Sequence, residues 1–227
     1  IDSESWKGLN ESPDKPLLNR ALRGTYPPGS TYKPFMALGA LETGKRSATT
    51  LINDPLFYIF KNRRFGSPEN ERGGIMDMRR AVVESSNVYF YTLANEMGVD
   101  AIHDFMKPLG FGQITGIDIN GEVRGVLPSQ DWKRDYYKKR DQQKWYAGET
   151  ISLGIGQGYN SFTMLQLAHA TATVANNGIA RKPQLVIATR DSSTHASVAV
   201  PADPPIDLVY KQQNIDVIRN AMVGVTQ

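Results

Sequence analysis

The stretch Tyr26-Pro27-Pro28-Gly29-Ser30-Thr31-Tyr32-Lys33-Pro34 constrains this chain more than any other. Two prolines and a glycine stiffen the approach. Ser30 and Lys33 then stand three residues apart, where the apolar run Phe35, Met36, Leu38, Ala40, Leu41 begins. The pattern predicts a helix that opens at Ser30 and stops near Gly44. On a helix, positions i and i+3 share a face, which brings the Ser30 hydroxyl within reach of the Lys33 amine. A serine is a weak nucleophile at neutral pH unless a neighbour takes its proton. Lysine serves only where burial or another cation holds part of its population neutral. The free N–H groups of a helix N-terminus favour negative charge developing near Ser30. Pro34 falls in the first turn, where a missing N–H is tolerated. The plainer alternative is a Ser30 that only caps the helix and a Lys33 in solvent.

The chain has 227 residues, enough for one large domain or two small ones with a sizeable core. Its net charge of +3 is mildly basic and does not demand nucleic acid. With no cysteine, a disulfide, a thiolate metal site and a cysteine nucleophile are all excluded. No apolar run approaches the ~20 residues needed to span a bilayer, and no signal peptide opens the chain. The sequence opens at Ile1 and closes at Val225-Thr226-Gln227, which reads as a piece of something longer.

Residues 1–25 read as a loop or short helix anchored by Trp6 and the Leu17-Leu18 pair. Between Thr49 and Gly74 the Asn53-Asp54-Pro55 turn, the aromatic residues and the late glycines suggest a hairpin or extended insertion. Asp77 is placed to cap a helix reaching about Glu84, and a second helix carries Val88, Tyr91, Leu93, Ala94 and Met97 to Gly98. Asp100 is expected to cap a further short helix. Residues 111–130 read as loop, and 150–158 as a strand-like run closing in glycines that let backbone pass close to the site. Thr163 should cap a helix stopped by Asn177-Gly178. A strand from Pro183 to Ala188, a loop through Pro205 and an amphipathic helix carrying Ile215, Ile218, Met222 and Val225 complete the chain.

Ser85-Ser86-Asn87 lies where one helix ends and the next begins, a junction able to aim two polar groups at a third. Ser85 could relay a proton, and the Asn87 amide can donate and accept toward a peptide. Both residue types are also ordinary helix caps. Ser-x-x-Lys at a helix start followed some fifty residues later by Ser-x-Asn resembles the penicilloyl-serine transferases, meaning penicillin-binding proteins and serine β-lactamases. The runs NRALRGTYPPGSTYKPFMALGALETG, VVESSNVYFYTLANEMG, LGFGQITGIDINGEVRGVLPS and WYAGETISLGIGQGYNSFTMLQLAHATATVANNG resemble the class B penicillin-binding proteins, and within them the elongation-type penicillin-binding protein 2 group. The likeness covers about residues 17 to 190.

The resemblance implies an α/β (α+β) penicillin-binding-protein/serine β-lactamase-like transpeptidase fold, of which this chain is mainly the helical part with few sheet strands. Residues 1–227 would be a partial transpeptidase domain, without membrane anchor, pedestal domain, first sheet strands or the Lys-Thr-Gly strand, a triplet absent here. It implies a D,D-transpeptidase in which Ser30 is acylated by a peptidoglycan stem peptide, Lys33 is the base, Ser85 the proton relay and Asn87 a substrate anchor. The Ser30 backbone N–H would be one oxyanion donor, and the chain alone would react poorly. The implied partners are stem peptides and β-lactams, the elongation-complex glycan polymerase RodA and the scaffold MreC. The parent would sit in the bacterial inner membrane with its catalytic domain in the periplasm. A β-lactam sensor of the same fold is the alternative, and a hydrolysing β-lactamase is disfavoured because no Glu is placed as its deacylating base.

Some members of the family carry zinc after the Ser-x-x-Lys helix, on aspartates, a histidine and a cysteine. Asp54 matches one such ligand, but residues 55–87 hold no His or Cys, so no metal and no cofactor are expected. Gly154-Ile155-Gly156-Gln157-Gly158 lacks the spacing of a dinucleotide loop. The basic and aromatic run 131–146 is interleaved by Asp131, Asp135 and Asp141, so it reads as a solvated face and no nucleic acid is expected. His103, His169 and His195 have no ligand spacing.

Overall fold

The computed structural model describes residues 1–68 and 72–227. Helix α1 (Ser3–Glu11) is capped by the Asp2 carboxylate, which accepts from the Ser5 amide at 2.8 Å. No residue of α1 is buried, and Trp6 and Leu17 are 48% and 47% exposed. They are not the anchors the sequence suggests, because their polar neighbours offer no apolar surface to complete. After α2 (Arg20–Arg23) and β1 (Thr25–Tyr26), a 3-10 turn over Gly29–Tyr32 leads into α3 (Lys33–Glu42). The predicted helix thus opens on a tighter turn. It stops where expected, with Gly44 in the left-handed region at φ 68°.

Helix α3 is buried from Phe35 to Leu41 and forms the axis of the core. The expected insertion is a pair of nested ribbons. β2 (Ile52–Asp54) pairs antiparallel with β5 (Gly74–Met76), and between them β3 (Phe57–Phe60) and β4 (Arg63–Gly66) form a hairpin. Asp77 caps α4 (Met78–Val83), accepting from the Arg80 amide at 2.7 Å, and α5 (Asn87–Met97) follows. In α6 (Val99–Met106) the N-cap is Gly98, not Asp100. The Asp100 carboxylate instead accepts from the Gln130 amide at 3.0 Å, tying α6 to the start of α7 (Gln130–Tyr136).

Next come α8 (Arg140–Gln143) and α9 (Ala147–Leu153). The run expected to be strand-like is therefore helical through Leu153. Glu149 accepts from the Tyr146 amide at 2.8 Å at its start, and Gly154 lies so close to α5 that a Cβ there would sit 2.2 Å from the Phe90 carbonyl oxygen. Tertiary packing overrides the strand preference of the β-branched Thr150 and Ile151. β6 (Phe162–Thr163) pairs with β1, and Thr163 caps α10 (Met164–Ala175) in a reciprocal bond with Gln166. β7 (Ile179–Ala180) pairs with β10 (Ile206–Asp207), and β8 (Ala188–Arg190) with β9 (Ser197–Ala199). The strand expected from Pro183 begins only at Ala188. Asp118 straps the preceding segment instead, accepting from the Leu185 and Val186 amides at 2.8 Å each.

Helix α11 (Gln212–Gly224) buries Ile215, Ile218 and Ala221 against α3 and α4. Full burial of each of the two isoleucines contributes about 1.5–3 kcal/mol. Beneath the 3-10 turn, Tyr32, Phe35, Phe111 and Phe162 interlock, with ring centroids 5.2 Å apart for Tyr32 and Phe111 and 4.7 Å for Phe111 and Phe162. Among the described residues every sheet is two-stranded, so helices dominate the α/β fold.

Candidate active site

Ser30 is exposed on the 3-10 turn and caps neither helix, since the two N-cap positions are Pro28 and Tyr32. The turn is held from behind. Gly29 donates its amide to the Gly156 carbonyl at 3.1 Å, and a Cβ on Gly156 would lie 2.3 Å from the Gly29 carbonyl oxygen. Only glycine suits this position, which also has φ 68°. The glycine run after α9 therefore serves close backbone approach, as the sequence suggests.

Lys33 is 1% exposed, so the solvated alternative is excluded. Its amine donates to the Ser85 hydroxyl at 2.9 Å, to the Asn87 amide oxygen at 2.7 Å and to the Ser85 carbonyl, and lies 5.7 Å from the Phe90 ring centre. The two sequence motifs thus meet at one nitrogen. Ser86, between them, is the residue that caps α5, accepting from the Tyr89 amide at 3.1 Å. That division frees Ser85 and Asn87 to face the lysine. Ser85 has φ 58°, a left-handed conformation that costs a non-glycine residue about 1–3 kcal/mol.

The Ser86 hydroxyl in turn donates to Asp54, whose other carboxylate oxygen accepts from the Leu56 amide at 2.7 Å. The sequence singles out Asp54 only through its likeness to one of the family's zinc ligands; its tie to Ser86, 32 residues on, carries no local signal. Both its oxygens are engaged, and among the described residues no three His, Cys, Asp or Glu side chains are grouped to hold a metal ion. The family's zinc set does not fit here. Ser30 and Ser85 open together onto a cleft of about 450 Å³, walled by Pro34, Phe35, Val82, Leu167 and Met222. An exposed hydroxyl on the rim, with a buried amine bonded to groups that can both donate and accept, is suited to acyl transfer with proton relay.

The 131–146 run is not simply a solvated face. Arg134 does pair with Asp131 and Asp135 at the surface, but Lys133 is 3% exposed. Its amine lies 2.7 Å from a Glu149 carboxylate oxygen and 5.4–5.6 Å from the ring centres of Trp145, Tyr146 and Tyr159. Burial, and then the hydrogen bond to Glu149, push the Tyr159 phenol well above its ordinary range. A charge count cannot distinguish such a cation from its solvated neighbours.

Residues 2–227 match the family described as penicillin binding protein transpeptidase domain. The chain is 38% identical over 229 residues to the peptidoglycan D,D-transpeptidase MrdA of Acinetobacter baumannii, covering all of this chain and 33% of that protein. Its fold superposes on Pseudomonas aeruginosa PBP2, solved in complex with WCK 5153, with a TM-score of 0.84 at 39% identity, over 98% of this chain and 49% of that one. Helicobacter pylori PBP2, solved in complex with MreC, gives a TM-score of 0.83 at 28% identity over 99% of this chain and 39% of that one. The chain thus spans about a third of the length of the curated relatives it matches. Matching that family and such relatives over nearly its whole length, the chain belongs to the penicillin-binding-protein transpeptidase family, in its elongation-type class B branch.

Proposed function

We propose that this chain carries the serine side of a peptidoglycan D,D-transpeptidase of cell elongation, and that residues 1–227 are part of a larger transpeptidase domain. The observation that carries the reading is the buried Lys33 amine, hydrogen-bonded to both Ser85 and Asn87 one turn after an exposed serine. Ser30 Oγ attacks the carbonyl of the penultimate D-alanine of a stem peptide, and Lys33 takes its proton. The C–N bond breaks, Ser85 passes a proton to the departing D-alanine amine, and Asn87 holds the donor amide. An amine of a neighbouring stem then displaces Ser30 and completes the cross-link. β-Lactams acylate the same oxygen, and the Ser30 N–H is one oxyanion donor.

The partners that go with this reading are stem peptides, the glycan polymerase RodA and the scaffold MreC, and the whole protein would be anchored in the inner membrane facing the periplasm. Among the described residues no helix is long and apolar enough to cross a membrane. The test is intact-mass spectrometry of the full-length protein with penicillin. One slowly decaying adduct on the Ser30 peptide, lost in Ser30→Ala, together with D-alanine release from a stem peptide, is the expected result. An adduct without D-alanine release would indicate a β-lactam sensor, and no adduct on folded protein would end the acyl-serine reading.

A further inference from the structure

We propose that Asp54 is a positioning residue for the Ser85–Asn87 turn, acting through the Ser86 hydroxyl; the inference rests on the transpeptidase reading above. Asp54 ends β2, is buried, and is fixed in register by pairing with Gly74 of β5. A buried carboxylate is costly unless its oxygens are satisfied. Here one oxygen accepts from the Leu56 amide at 2.7 Å and the other from the Ser86 hydroxyl.

The direction of that second bond is fixed by its neighbours. The Tyr89 amide can only donate, and does so to Ser86 Oγ at 3.1 Å; a carboxylate can only accept. The hydroxyl proton therefore points at Asp54, and Ser86 is left with one rotamer. Ser86 also donates its own amide to the Ala81 carbonyl at 3.0 Å, so both backbone and side chain of this residue are tied. Its two neighbours are the groups that accept from Lys33, and one of them stands at φ 58°. A left-handed serine persists only where its surroundings over-determine it. The clamp from β2 and the Lys33 bonds from α3 are parts of those surroundings that do not belong to α4 or α5. The insertion thus reaches the site through one carboxylate, without touching Ser30.

Asp54→Asn preserves volume and tests this directly. In either orientation of the amide, one of the two donors, the Leu56 N–H or the Ser86 O–H, loses its acceptor. Acylation of the full-length protein by a fluorescent penicillin, followed over a concentration series, separates the limiting rate from the half-saturating concentration. Asp54→Asn is expected to lower the limiting rate about tenfold at unchanged half-saturation, Ser86→Ala to do the same, and the double variant to add nothing further, since neighbours in one network are non-additive. A folded Asp54→Asn protein within about twofold of wild type, or a double variant whose losses multiply, overturns the proposal. Should Asp54→Asn not fold, Ser86→Ala decides: a wild-type limiting rate there overturns it equally. Failure of the wild-type protein to acylate at all would instead remove the transpeptidase reading, and this inference with it.

Discussion

Two lysines of this chain are buried to almost the same degree, and the fold treats them differently. Lys133 lies against the Glu149 carboxylate inside a ring of aromatic side chains, while Lys33 donates to a hydroxyl, an amide oxygen and a carbonyl. A carboxylate favours the ammonium form and cannot donate to the lone pair of a neutral amine. A serine hydroxyl can reverse its bond and donate to the lone pair that remains when the proton leaves. The first arrangement is a structural tie, and the second is compatible with either protonation state of the amine. Burial of a lysine is therefore a poor guide to function until the chemistry of its acceptors is known.

Exchanging the roles breaks the comparison most sharply. Lys33→Ala should slow acylation of Ser30 by penicillin about a thousandfold, the scale of a lost general base, with the protein still folded by circular dichroism. Glu149→Ala should do the converse. It strands the Lys133 ammonium in a site with little water, at a cost of about 3 kcal/mol read in a denaturant titration, while the folded fraction acylates within about twofold of wild type. A collapse of the acylation rate in that variant would show the two lysines to be one functional unit.

Gly156→Ala probes the link between the regions, since α9 carries Glu149 at one end and leads to Gly156 at the other. Its strained φ and the Cβ clash with Gly29 predict a loss of about 2 kcal/mol in stability and a slower acylation rate together. The smallest effect is a pH dependence away from both lysines. Two backbone amides, from Leu185 and Val186, hold the Asp118 carboxyl below its ordinary 3.8. A depressed folded-state value means stability that is present above 3.8 and lost as pH falls through the folded value, because there the unfolded chain binds the extra proton. The protection of the Leu185 and Val186 amides, measured relative to their intrinsic exchange rates, should fall selectively below about pH 4, and Asp118→Asn should remove that pH dependence.

The Lys33 half of this contrast was legible in sequence, and the Lys133 half was not. Ser30 and Lys33 declare themselves because three residues on a helix is a fixed distance, and Asp77, Thr163 and Gly44 because caps and stops are local chemistry. Asn87 and Ser85 were legible as a pair, although only the bond from the Tyr89 amide reveals that Ser86 is the residue spent on capping. The burial of Lys133, the tie of Asp54 to Ser86 and the helical state of α9 were not legible, for a common reason. Each is settled by a partner far away in sequence, Glu149 for the lysine, Ser86 for the aspartate, and Phe90 for the glycine that ends the helix. Trp6 and Leu17 show the opposite error, where a large apolar residue was read as an anchor without a surface to receive it.

The hydrogen bond from Gly29 to Gly156 also sets a clock on the nascent chain. Ser30 leaves the ribosome with its neighbours early, but the loop that backs its turn follows roughly 130 residues later, about 6–25 s at ordinary elongation rates. Throughout that interval the serine is made but unsupported. Slow codons between residues 30 and 156 would lengthen the exposure of this half-built turn to proteases and chaperones.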